Sequence, residues 1–150
     1  MAKIGIVVDN QDNLNYVEEI KKIFDEFGIS YETKILCGMD TLKPVYEFVE
    51  YAENNKIEII IVLAGISTHL PGVIASKTII PVIGVPLPSK DVSNTEIIFS
   101  MLQMPEGVPV GCVSSGKAGI KNSVLLALEI LSIKEENIKE KLKEFKEKFF

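Results

Sequence analysis

Hydrophobic and polar positions along the chain fall into two alternating kinds of segment. Short β-branched runs are separated by longer stretches with apolar residues at helical spacing. The run Ile57–Leu63 is almost continuously apolar, the pattern of a central strand covered on both faces. Ile4-Gly5-Ile6-Val7-Val8 predicts the first strand, Ser30–Leu36 the second, Pro81–Val85 the fourth and Pro109–Val113 the fifth. Val17, Ile20, Phe24 and Phe27 recur at helical spacing, with Asn15 and Glu18 placed like a capping box and Gly28 placed to end the helix. Further helices are expected over Leu42–Asn54, about His69–Ser76, Thr95–Gln103, Asn122–Leu131 and Lys134–Phe150.

Strands alternating with helices through short connections predict a three-layer α/β/α domain, a flavodoxin-like parallel sheet of about five strands with a C-terminal helix. The chain reads as one domain, 1–150, whose tail 132–150 is expected to pack on a neighbouring subunit through Ile138, Leu142, Phe145 and Phe149. Asn122–Leu131 is apolar on most sides, which predicts a helix buried partly by another subunit. In such sheets ligands bind at the carboxyl ends of the strands. The loops there are Asp9–Asn13, Cys37–Thr41, Ala64–His69 and the small-residue segment Ser114–Gly119.

Composition narrows this picture only at its edges. Apolar content of 47% and a charged fraction of 25% are ordinary for a globular domain of 150 residues. A net charge of -5 gives no electrostatic reason to bind nucleic acid. No apolar run approaches the roughly 18–20 residues that cross a bilayer, so no membrane partner is expected. Met1-Ala2-Lys3-Ile4 leads straight into a strand rather than a signal segment. Two cysteines, Cys37 and Cys112, make neither a disulfide framework nor a metal knuckle, and the expected location is the cytoplasm.

Four stretches are distinctive as a set: Ser67-Thr68-His69-Leu70-Pro71-Gly72, Pro81-Val82-Ile83-Gly84-Val85-Pro86, Gln103-Met104-Pro105-Glu106-Gly107-Val108-Pro109-Val110-Gly111 and Gly116-Lys117-Ala118-Gly119. Together they resemble the PurE family, the 5-(carboxyamino)imidazole ribonucleotide mutases of purine synthesis, over nearly the whole chain. The resemblance implies an octamer with active sites at subunit boundaries, a nucleotide-like small-molecule ligand and no cofactor. If the protein is active, it implies carboxyl transfer of the aminoimidazole ribonucleotide type.

The departures from that family lie in its ligand loops. The family opens its first loop with G-S-x-S-D, where this chain has Asp9, Asn10, Gln11, Asp12 and Asn13. Its second loop reads S-A-H-R-T-P, so the proton-carrying histidine falls on Met39 and the phosphate-binding arginine on Asp40, with Cys37, Gly38, Thr41 and Leu42 around them. Its third loop, G-G-A-A-H-L-P-G, becomes Gly65 to Gly72 with Ile66 in place of a glycine. A thioether neither titrates nor donates a hydrogen bond, and loss of a general acid–base removes about 10²–10⁴ in rate.

The candidate ligand-binding residues are therefore Asp9, Asn10, Asp12, Asn13, Cys37, Gly38, Met39, Asp40, Ala64, Gly65, Ser67 and Leu70. His69, the one histidine, is read either as a relocated acid–base or, preferably, as a hydrogen-bonded scaffold residue. Cys37 is read as a small buried residue before a nucleophile. Asp9, Asp12 and Asp40 either crowd an anion with like charge or hold a divalent cation. Three readings follow: a paralogue with altered substrate, a non-catalytic oligomeric binding or scaffold protein with Met39 and Ile66 filling the pocket, and a mutase that uses His69.

Overall fold

Residues Ile4–Val8 (β1) and Ile59–Ala64 (β3) are buried at every position, the signature of central strands with a layer on each face. Tyr31–Ile35 (β2), Val82–Pro86 (β4) and Gly111–Cys112 (β5) complete a five-stranded, wholly parallel sheet of order β2-β1-β3-β4-β5. The structure is a computed structural model that describes residues 3–37 and 41–149. Its order is the flavodoxin-like one expected from the hydrophobic pattern.

Alternate strand residues feed two separate cores. Ile4, Ile6, Val8, Ile59, Ile61 and Leu63 face the helices Leu14–Phe27 (α1), Gly116–Ser132 (α5) and Glu136–Glu147 (α6). Val7, Ile60 and Val62 face Lys43–Asn54 (α2) and Leu70–Ala75 (α3) on the opposite side. Asn94–Leu102 (α4) packs against β4 and buries Ile97 and Met101.

Several boundaries differ from the sequence expectation for identifiable reasons. The capping box expected at Asn15 and Glu18 does not form: α1 starts at Leu14, and Glu18 pairs with Lys21 at 2.9 Å. The box is found on α4, where Ser93 accepts from the Glu96 amide and Glu96 reaches back to Ser93. Gly28 does end α1, in the left-handed region at φ 71°. β5 shrinks to two residues, and Pro109, which has no N–H to donate, stands just outside it. Ser114–Gly119, expected as a loop, is largely the first turn of α5. Gly119 makes that close approach feasible, because a β-carbon there would overlap the Ser114 carbonyl oxygen.

The apolar stripe of the tail packs in large part on its own chain. Ile138 and Leu142 are buried in the α1–α5 core, and the Phe145 ring meets Phe27 edge-on at 5.8 Å. Lys121 of α5 lies over the Phe149 ring at 4.0 Å, and Glu129 pairs with Lys146. On α5, Leu125, Leu126 and Ile130 stay half-buried, so a strip of that helix remains available for other contacts.

Three substitutions test this packing. Leu142→Ala is expected to lower unfolding free energy by about 2–5 kcal/mol, since it empties a closed core site. Phe149→Ala, at a residue 54% exposed, should cost clearly less. Gly119→Ala should cost about 3 kcal/mol or more by forcing α5 off the sheet. Denaturant midpoints check all three, and an unchanged midpoint for Leu142→Ala or Gly119→Ala would contradict the packing described.

Candidate functional site

The strand order reverses direction between β1 and β3, so the crevice at their carboxyl ends is the topological switch point where ligands bind in sheets of this order. Register brings the loops together there. Val8 pairs with Ile35 and Leu63, and Leu63 pairs with Val85. Beyond the last pairs, the Leu36 amide donates to Val8 O at 2.9 Å, Asp9 to Leu63 O at 3.1 Å and Leu87 to Ala64 O at 2.9 Å. Asp9 is thereby set directly beside the turn that leaves β3.

Its carboxylate is 2% exposed and is bonded across that crevice. Oδ2 accepts three consecutive backbone N–H groups, from Gly65 at 2.9 Å, Ile66 at 2.8 Å and Ser67 at 3.1 Å. Oδ1 accepts from the side-chain amide of Asn13 at 2.8 Å and, more distantly, from that of Asn10 at 3.4 Å. Successive amides converging on one point form an anion-binding nest, here filled by a carboxylate of the chain itself. Gly65 suits the turn because a β-carbon there would stand 2.8 Å from the Leu87 carbonyl oxygen.

This bonding bears on Asp9 alone among the three aspartates. Both oxygens of Asp9 already accept N–H donors, so Asp9 is a structural acceptor and not a free ligand for a cation. Asp12 points elsewhere: it is exposed, its amide donating to Asn10 Oδ1 at 2.8 Å in the 3₁₀ turn Gln11–Asn13. No group of three or more metal-ligating side chains occurs among the described residues. Gly38, Met39 and Asp40 lie outside the described residues.

The other candidates are placed less uniformly. Ser67 is half-buried at the turn, while Ala64 and Leu70 are wholly buried, the Leu70 side chain within the core on the α2 side of the sheet. Cys37 is exposed at the end of β2, contrary to its reading as a buried residue. Ile66, expected as a pocket filler, is 58% exposed. Cys112 is half-buried, and burial pushes its thiol pKa up, away from nucleophilic character. Lys117 is exposed on the first turn of α5, beside a groove that Tyr16, Glu19 and Lys121 also line.

His69 stands at the N-cap position of α3 at φ -82° and ψ -12°, its side chain exposed and making no capping hydrogen bond. Together with Thr68, Val73, Met104 and Pro105 it lines an open groove of about 480 Å³ between α3 and the segment after α4. Two of the distinctive stretches meet in this groove, where a β-carbon on Gly72 would stand 2.7 Å from the Met104 sulfur. The role of Asn13 as donor to Asp9 was not anticipated. The four-residue spacing of Asp9 and Asn13 across a single helical turn was the available signal.

Comparison with known proteins agrees with this geometry. The family model described as AIR carboxylase matches residues 3–149. The chain is 45% identical over 147 residues to the N5-carboxyaminoimidazole ribonucleotide mutase of Pyrococcus abyssi, covering 98% of this chain and 83% of that protein. It is 40% identical to the Saccharolobus solfataricus mutase, covering 98% and 92%, and 34% identical to that of Escherichia coli, covering 97% and 86%. The solved structure of Treponema denticola PurE superposes with a TM-score of 0.84 at 27% identity, covering 97% of this chain and 89% of that one. The family match over nearly the whole chain and this breadth of similarity lead to one conclusion: the chain belongs to the AIR carboxylase, or PurE, family.

Proposed function

We propose that this chain is a PurE-family protein of altered substrate, taking a small nucleotide-like or heterocyclic ligand at the carboxyl ends of β1 and β3. The observation that carries the reading is the residue type at the family's proton-carrier position, Met39 in place of a histidine. His69 is exposed and has no hydrogen-bond partner among the described residues to fix its tautomer or orientation. A group that both gives and takes a proton must be held within hydrogen-bond reach of its substrate. Met39 stands at the position where the family's proton carrier is expected, and a thioether cannot replace it.

A second reading, a purine-pathway mutase using His69, draws support from relatives at 34–45% identity that bear the mutase name. The two are separated by assaying N5-carboxyaminoimidazole ribonucleotide conversion beside the Escherichia coli enzyme. The expected result is a rate lower by about 10²–10⁴ or more, unchanged by His69→Asn. A rate equal to that enzyme's and abolished by His69→Asn would establish the second reading. The absence of any turnover, with the assembly intact, would favour a binding or scaffold role.

The proposed assembly is a homo-octamer in the cytoplasm. Phe99 and Leu102 of α4 are 54% and 58% exposed, and the half-buried Leu125, Leu126 and Ile130 of α5 add apolar surface. Among the described residues no helix is long and apolar enough to cross a membrane. Light scattering should give the mass of eight chains, and a stable monomer would contradict the assembly.

A further inference from the structure

We propose that Asp9 is a specificity-determining residue: its carboxylate closes the Gly65–Ser67 amide nest to the anionic end of any ligand, so a phosphate or carboxylate is not accepted at this point. The inference rests on reading the β1–β3 strand ends as the ligand site. It starts from a geometric fact. Three successive N–H groups point to one position 2.8–3.1 Å away, and that position holds a carboxylate oxygen. Backbone N–H groups arranged in this way bind phosphate or carboxylate oxygens when the position is open.

The occupant is fixed from four directions. Asp9 follows β1 directly, and its own amide is tied to Leu63 O at 3.1 Å. Its second carboxylate oxygen is held by Asn13 and Asn10. The receiving turn has little room to retreat, because Gly65 lies against the Leu87 carbonyl. A free phosphate competing for the nest must displace a tethered anion at very high effective concentration, and must then sit beside the charge it displaced. Removing the carboxylate while keeping the backbone should leave an oxygen-sized anion site at the switch point. A serine at position 9 is too short to reach the three amides.

Nitrogen-resolved NMR on the full chain with inorganic phosphate as the probe tests this. In the wild type, the Gly65, Ile66 and Ser67 amides should be protected from hydrogen exchange and should not shift with millimolar phosphate. In Asp9→Ser the same three signals should shift saturably with phosphate, at a dissociation constant in the millimolar range. Rapid exchange of these amides in the wild type, or their shift with phosphate, would overturn the proposal. So would a folded Asp9→Ser variant whose three signals ignore phosphate. If that variant does not fold, the two wild-type measurements still decide. Failure here is distinct from failure of the functional reading: full mutase turnover by the wild type would overturn that reading without moving these three signals.

Discussion

One buried carboxylate ties the two halves of this fold's ligand edge together. Asp9 leaves β1 and accepts every backbone N–H of the first three residues after β3, across the point where the strand order reverses. A carboxylate that is 2% exposed is tolerable only because it is fully bonded. The dependence is mutual, since the buried Gly65 amide would otherwise be an unpaired donor costing about 1–3 kcal/mol.

The motifs that mark the family act here mainly through packing. Gly72 receives the Met104 sulfur, and Gly119 admits the Ser114 carbonyl beneath the first turn of α5. The first holds α3 against the segment after α4, and the second sets the start of α5 beside Val85 of β4. Architecture and chemistry are specified by different residues, and the first can persist while the second changes.

The layers were readable from periodicity because burial on both faces leaves few alternatives for runs such as Ile59–Ala64. What escaped the sequence depends on three-dimensional partners. Asn15 and Glu18 match a capping pattern, yet the residue at the helix start, Asn13, donates its amide to Asp9 instead. The amphipathic tail shows an apolar stripe but not what covers it, and the cover is α1 and α5 of the same chain. Asp9 looked like one of several loop carboxylates, because the convergence of three amides from 56 to 58 residues further along leaves no trace in local sequence. Cys37 was misplaced for a similar reason: a residue following an edge strand lacks the second neighbour that would bury it.

The most direct measurement is of the hydrogen bonds themselves. In uniformly ¹³C,¹⁵N-labelled protein, through-bond scalar couplings should link the amide nitrogens of Gly65, Ile66 and Ser67 to the side-chain carboxyl carbon of Asp9. Cross-peaks from these amides to that one carbon are the predicted result. Couplings from the same amides to a different acceptor, or none to Asp9, would contradict the account of how this edge of the sheet is held.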